Sequence, residues 1–67
     1  MADMEMLRNK IDERGMTITA LSRKSGILRA TLYNRLKGKG IWKANEIVSV
    51  SYVLKLTKAE RDHIFLV

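Results

Sequence analysis

Four glycines, at positions 15, 26, 38 and 40, divide this chain of 67 residues and constrain its fold more than any other feature. Between them, apolar side chains recur at the three- and four-residue spacings of an amphipathic helix. The chain contains no proline, and glycine often ends a helix. The sequence therefore predicts an all-α fold, a bundle of about five short helices in one domain over residues 1–67.

The first three predicted helices are delimited by capping residues. Asp3 and Thr17 carry side-chain oxygens that can accept hydrogen bonds from the free N–H groups at a helix start. Gly15 and Gly26 can adopt the left-handed conformation that ends a helix. We predict helices over about residues 3–14, over about two turns after Thr17, and over about residues 28–37.

A fourth helix is predicted over about residues 44–55, where Val48 and Tyr52 form a second apolar stripe beside the main one. The valines of this segment also favour a strand over residues 47–53. The period-two alternation breaks at Tyr52 and no hairpin turn follows, so we prefer the helix.

The segments on either side of that helix also carry signals. Ile41 and Trp42 are expected to anchor the glycine-rich loop to the core. Trp42 could instead stack on a nucleic-acid base, but a tryptophan beside an isoleucine more often fills a core. Thr57 and Glu60 have the spacing of a capping box and open a final helix that ends in the apolar residues 64–67.

Basic residues are concentrated in the middle of the chain. Residues 14–45 contain eight Lys or Arg residues and no Asp or Glu, which gives this segment a charge of +8. The remaining residues carry −2, and the whole chain carries +6. This distribution suits a protein that binds a polyanion with one face. A solvated cationic surface without a partner has the same composition, so charge alone does not decide.

The composition argues against several classes of protein. The chain has no cysteine and one histidine, His63, so we expect no disulfide, no metal site and no cofactor. It offers no Ser/His/Asp or Cys/His set, so we expect no enzyme. The longest apolar run covers only residues 64–67, and the first ten residues include four charged ones. We therefore expect no membrane span and no secretory signal, and a cytoplasmic protein.

Residues 16–36 carry the most informative pattern. A small residue, Ser22, is followed four positions later by Gly26, and the apolar residues Ile27 and Leu32 come next. Two helices that meet through a tight turn need a small residue at the crossing, a glycine at the corner and apolar residues behind the second helix. The pattern therefore predicts a helix-turn-helix whose second helix projects outward, where it can enter a major groove.

This spacing resembles the helix-turn-helix of the phage repressor and Cro family, also called the XRE family. The usual form of that motif is close to L-T-x-x-x-L-A-x-x-x-G-V-S-x-x-T-I. Residues 44–47 and 56–65 also look like those of short regulators from phages of Gram-positive bacteria, so the resemblance covers nearly the whole chain. It implies a lambda-repressor-like fold. The matching motif positions are Met16, Thr17, Leu21, Ser22, Gly26, Ile27, Thr31 and Leu32.

At three positions the chain departs from the usual residues of that family. Ile18 stands where glutamine is common, and it cannot make the polar contact of an amide. Leu28 stands where serine or threonine commonly caps the second helix of the motif, and it cannot accept a hydrogen bond. Ser25 stands where an apolar residue usually precedes the glycine.

The resemblance implies that the third helix enters the major groove of duplex DNA and that the second crosses the backbone. Arg29 would read guanine through two hydrogen bonds, or clamp a phosphate instead. Asn34 would pair with adenine or face solvent, and Ala30 would touch a thymine methyl group. Tyr33 would contact a base or reach a phosphate, or it would lie on the protein's own surface. The expected phosphate contacts are Thr17, Arg23, Lys24, Arg35, Lys37, Lys39 and Lys43.

These features predict a transcriptional regulator of the repressor type that binds double-stranded DNA sequence-specifically. One such unit reads few base pairs, so we expect a homodimer on a palindromic operator. Its setting would be the bacterial nucleoid, and its gene would be carried by a phage. The apolar residues of the expected dimer interface, which could otherwise close the monomer's own core, are Val48, Tyr52, Phe65, Leu66 and Val67.

Two other functions fit the same sequence. A protein-binding module, such as an antirepressor or antitoxin, would use the fold to hold a protein partner through the C-terminal apolar surface. A coating protein would bind any DNA sequence through the basic segment alone. A protein antagonist is a further partner to expect for a regulator of this size.

Overall fold

The computed structural model describes residues 2–66, which fold into five α-helices. This part of the chain contains no β-strand, so the all-α prediction and the choice of a helix over residues 47–53 are confirmed. Short turns and loops join consecutive helices. The helices are α1 (Met4–Glu13), α2 (Ile18–Ser25), α3 (Arg29–Leu36), α4 (Ala44–Val53) and α5 (Lys58–Phe65).

Polar side chains cap three of these helices as predicted. Asp3 and Thr17 each accept a hydrogen bond from the backbone N–H three residues further on, at 3.0 Å and 3.1 Å. Thr57 accepts from the Glu60 N–H at 3.1 Å, and the Glu60 carboxylate accepts from the Thr57 N–H at 2.9 Å. These reciprocal bonds form the expected capping box at the start of α5.

The fourth helix is shorter than predicted. It ends at Val53 rather than near Lys55, because Lys55 adopts a left-handed backbone conformation with a φ of 54°. The reversal lets the Leu56 N–H donate to the Ser51 carbonyl at 3.0 Å. The chain thus returns Leu56 to the core, against which it packs.

All five helices contribute to one apolar core. α2 packs against α3 and α4, while α5 packs against α1 and α4. Arg14 Nε also donates to the Leu54 carbonyl at 2.8 Å, and Lys10 Nζ lies 2.6 Å from Glu60 Oε2, which joins α1 to α5. Full burial of one large apolar side chain contributes about 1.5–3 kcal/mol. The buried apolar residues are Leu7, Ile11, Leu21, Leu32, Leu36, Val50, Leu54, Ile64 and Phe65.

The loop between α3 and α4 corrects one prediction. Trp42 does anchor it, because the indole packs against the core with its ring centroid 5.1 Å from that of Phe65, edge to face. Ile41 does not, since 84% of it is exposed to solvent. The prediction is right for Trp42 and wrong for Ile41. A loop has no helical period, so the sequence does not show which of two adjacent apolar residues points inward.

Candidate nucleic-acid interface

The turn between α2 and α3 sets the direction of α3. Gly26 ends α2 with a φ of 76°, the left-handed conformation predicted for this position. The Ser22 hydroxyl donates to the Ile27 carbonyl at 2.6 Å, and the Ser25 hydroxyl accepts from the Ile27 N–H at 3.3 Å. Serine side chains therefore hold both backbone polar groups of the first residue after the corner.

These two hydroxyl groups were not recognised from the sequence as parts of the turn. From the sequence, Ser22 is predicted only as a small residue at the helix crossing. Ser25 is noted only because it departs from the usual family residue. A signal did exist, because serine often bonds to neighbouring backbone groups in turns, and these two serines flank the corner glycine. At Ser25 the chain thus replaces an apolar contact with a polar one.

The third helix presents one face to solvent. Leu32 and Leu36 are buried on its opposite face. The residues predicted to contact bases are all exposed, and their spacings of one, four and five residues put them on a common side of the helix. This exposed surface, which we call the reading face, consists of Arg29, Ala30, Tyr33 and Asn34.

The start of α3 has no polar cap from the residue before it. Leu28 occupies the cap position, is 75% exposed, and offers no oxygen to the first N–H groups of the helix. Those N–H groups remain directed at any acceptor outside the helix. An anion can be held at such a position, since the helix dipole favours negative charge there.

Arg29 is linked to the preceding helix. Its Nη1 donates to Thr19 Oγ1 at 3.2 Å, and both side chains are exposed. The bond uses one of the five N–H donors of the guanidinium group and leaves the others for a ligand. Sequence patterns did not identify Thr19 as a functional residue, because a single hydroxyl residue inside a short helix carries no motif.

Most of the predicted phosphate contacts are also exposed. The Thr17 hydroxyl caps α2 through a lone pair and keeps its hydrogen for another acceptor. Lys37 and Lys39 lie in the loop after α3, and Lys43 comes directly before α4. The exposed members of the predicted set are Thr17, Arg23, Lys24, Lys37, Lys39 and Lys43.

Arg35 differs from the rest of that set. Its side chain is only 15% exposed, and its Nε lies 3.3 Å from Glu46 Oε1 at the start of α4. Its Nη1 donates to the Lys39 carbonyl at 3.3 Å. The guanidinium group is therefore engaged inside the protein, where the sequence suggested a group directed at phosphate.

Tyr33 borders a groove on the surface. The groove holds about 500 Å³, and Met16, Ile18 and Tyr33 are among the residues that line it. The charged residues Arg8, Asp12 and Lys37 also line it. Ile18, which occupies the usual glutamine position, thus contributes apolar surface beside the reading face rather than a polar contact.

The residues expected to form a dimer interface lie in different environments. Val48 and Tyr52 are exposed on α4, and Leu66 is 55% exposed after α5. Phe65 is only 7% exposed and packs on Trp42, so its ring lies in the core of this chain. Val67 lies outside the described residues.

Neither a metal-binding cluster nor a membrane-spanning helix is present among residues 2–66. In this part of the chain, no group of three His, Cys, Asp or Glu side chains could hold a metal ion. His63, exposed on α5, has its Nε2 3.5 Å from Asp3 Oδ2. Among these same residues, the helices are all too short or too polar to cross a bilayer.

The family comparison covers the whole of this interface. A family model described as a Cro/C1-type HTH DNA-binding domain matches residues 6–60, which include α2, the Gly26 corner, α3 and α4. Neither the comparison with curated proteins nor that with solved structures returned a match. The matched residues make up most of the chain, and the corner and reading face lie within them. The chain belongs to the Cro/C1-type helix-turn-helix family of DNA-binding domains.

Proposed function

We propose that residues 1–67 form one DNA-binding domain that regulates transcription, in the manner of a repressor, by sequence-specific binding to duplex DNA. The observation that carries the proposal is the serine-bonded corner at Gly26, after which α3 exposes the reading face. In the proposed complex α3 enters the major groove and α2 crosses the backbone. The regulator acts in a bacterial cytoplasm, and the resemblance to short phage regulators supports a phage gene.

The reading face has the chemistry for direct contacts to bases. Arg29 donates two hydrogen bonds to guanine O6 and N7, while its bond to Thr19 restricts the guanidinium group before DNA arrives. Asn34 pairs with adenine, and Ala30 allows a close approach to a thymine methyl group. Tyr33 contacts the edge of the same site, or a phosphate beside it.

The exposed basic residues around this face bind phosphate. Arg23 and Lys24 lie in the last turn of α2, and the three exposed lysines at 37, 39 and 43 lie between α3 and α4. Each phosphate neutralised contributes about 0.9 to the slope of log binding constant against log salt concentration. These contacts hold the register of the protein on DNA and carry no base preference themselves.

A symmetric dimer on a palindrome completes the proposal, because a single α3 reads only a few base pairs. Val48, Tyr52 and Leu66 are the exposed apolar residues we assign to the contact between protomers. Equilibrium sedimentation should show a dimer in the tens of micromolar range, or a dimer only when DNA is present. A monomer at those concentrations that also binds DNA one copy at a time would refute the dimer.

Selection from a pool of random duplex DNA tests the function directly. We expect recovery of one palindromic sequence, whose half-site spacing also reports the dimer. Arg29→Ala should reduce discrimination between the recovered and random DNA by about 1–3 kcal/mol. Arg23→Ala is the matched control, since loss of a phosphate contact weakens binding to all sequences alike.

Two outcomes would contradict sequence-specific regulation. Equal binding to every duplex, with a steep salt dependence, would indicate a coating protein. If no duplex is recovered and a second protein co-purifies tightly with this one, the antirepressor or antitoxin hypothesis is favoured. The exposed apolar residues Val48 and Tyr52 would then be the first place to look for that partner.

A further inference from the structure

Arg35 and Glu46 join the two ends of the loop that carries three of the proposed phosphate contacts. This loop, residues 37–43, runs from the end of α3 to the start of α4. Glu46 Oε1 accepts from the Lys43 N–H at 2.9 Å and from Arg35 Nε at 3.3 Å. One carboxylate oxygen therefore connects the last turn of α3 to Lys43, the residue directly before α4.

The Arg35 guanidinium group also contacts the middle of the loop. Its Nη1 donates to the Lys39 carbonyl at 3.3 Å. Gly40 lies directly against it, and a Cβ at that position would collide with the same nitrogen. Gly40 has a φ of 77°, so both its backbone conformation and the space beside it favour glycine.

The burial of this pair contrasts with the exposure of the lysines around it. The side chains of Arg35 and Glu46 are 15% and 10% exposed, whereas Lys37, Lys39 and Lys43 are exposed. Three like charges on one short loop repel one another, and an untethered loop samples many conformations. A fixed loop backbone is needed to keep such lysines at a spacing that matches successive phosphates.

We propose that Arg35 and Glu46 are positioning residues for DNA binding, which hold the loop of residues 37–43 so that its lysines meet the phosphate backbone. Arg35 acts through the loop and does not itself touch DNA. The inference rests on the proposed function, because it assigns the organisation of that same DNA surface. It gives a role to Glu46, a carboxylate that would otherwise only repel DNA.

The charge-conserving variant Arg35→Lys provides the main test. Lysine keeps the positive charge but has no planar fork that can bind Glu46 and the Lys39 carbonyl together. Binding to a random-sequence duplex should be measured over a series of salt concentrations. We expect the salt slope to fall by about 1.8, which corresponds to two lost phosphate contacts. Arg61→Lys makes the same change at an arginine of α5 that pairs with Asp62 and lies outside the proposed DNA contacts; it is the matched control, and its slope should stay that of the wild type.

The variant Glu46→Ala tests whether loss of this carboxylate strengthens or weakens DNA binding. Simple electrostatics predicts tighter DNA binding when a carboxylate is removed from a surface near DNA. Positioning predicts weaker binding, because the loop loses its link to α4. Glu5→Ala, an exposed acid in the first turn of α1, is the control and should leave binding unchanged or slightly tighter.

Hydrogen exchange in the free protein separates loop order from general unfolding. In Arg35→Lys, the Lys39 and Lys43 amides should exchange faster while the amides of α1 and α5 keep their protection. Equal acceleration throughout the chain would indicate a merely structural role and would overturn the proposal. Circular dichroism of each variant checks that the helices are intact.

The outcomes also separate this inference from the function on which it rests. An unchanged salt slope in Arg35→Lys, or tighter binding in Glu46→Ala, overturns the positioning role while wild-type binding stands. Failure of the wild-type protein to bind any duplex overturns the proposed function as well. A reduced slope with local loop exchange supports both.

Discussion

At the scale of single residues, Lys55 shows how the chain ends a helix without the usual residue. Its φ of 54° lies in the left-handed region, where the Cβ of an ordinary L-residue costs about 1–2 kcal/mol. Gly15 and Gly26, which follow α1 and α2, adopt the same left-handed conformation without that cost. The sequence marked those glycines as helix ends, but Lys55 carried no such mark, and the predicted fourth helix ran too far.

Lys55→Gly should therefore stabilise the protein. We expect the free energy of unfolding to rise by about 1 kcal/mol, because glycine removes the strain at this position. Lys37→Gly is the matched control: Lys37 has a φ of −85°, so glycine relieves nothing there and should lower stability. Urea denaturation of the three proteins measures both effects. A loss of stability in Lys55→Gly would contradict this account.

At the scale of elements, the corner between α2 and α3 depends on hydroxyl groups as well as on glycine. The bond from Ser22 Oγ to the Ile27 carbonyl spans the turn at 2.6 Å. A family pattern with alanine at the Ser22 position does not supply this bond. The turn of this chain thus keeps the general spacing of the motif while using a different local contact.

Ser22→Ala tests that contact. Removal of the hydroxyl should lower the free energy of unfolding by about 0.5–1 kcal/mol, since the lost hydrogen bond outweighs the better helix propensity of alanine. Ser49→Ala, within α4, makes the same chemical change and reports the propensity gain alone. Thermal and urea unfolding should show opposite signs for the two variants. Equal behaviour would mean that the Ser22 bond contributes nothing.

Local chemistry explains which parts of these elements could be predicted. The caps at Asp3, Thr17 and Thr57 and the glycine corner depend on residues within a few positions of one another, so the sequence displays them directly. The Arg35–Glu46 pair joins residues eleven positions apart, and its geometry depends on the path of the loop between them. The exposure of Arg29 was implied by the family resemblance, but its bond to Thr19 depends on the relative placement of two helices.

At the scale of the whole molecule, one ion pair links the first and last helices. Lys10 Nζ lies 2.6 Å from Glu60 Oε2. The hydrogen bond from Lys10 is the main reason that the pKa of Glu60 falls to about 2, and the bond from the Thr57 backbone lowers it further. The same bond to Glu60 raises the pKa of Lys10. Both pKa shifts favour the charged forms, so the contact stabilises the carboxylate of Glu60 and the ammonium group of Lys10.

Stability should consequently fall in acid. A carboxylate with a lowered pKa in the folded state contributes stability that is present above its unfolded pKa of about 4.5 and is lost as the pH falls toward about 2. Lys10→Gln should make this acid-dependent loss smaller. Lys24→Gln removes a similar charge from α2, a helix without carboxylates, and should keep the wild-type pH dependence. Urea denaturation from neutral pH down to about pH 2 measures the difference.

An identical pH dependence in Lys10→Gln and the wild type would contradict the assigned cause. The Lys58–Asp62 pair within α5 also lowers the pKa of Asp62, so some acid sensitivity should persist without Lys10. Lys58→Gln therefore serves as a second comparison. Its effect should be smaller, because the Lys58 side chain is largely exposed and joins residues of one helix only.

Each helix contains only eight to ten residues. Segments of that length are marginal by themselves in water, so none can persist once its neighbours have melted. Recognition of DNA should therefore vanish in the same narrow temperature interval as helicity. A cavity introduced in α5, which contains none of the residues proposed to contact DNA, would make DNA binding temperature-sensitive as readily as a change at the reading face.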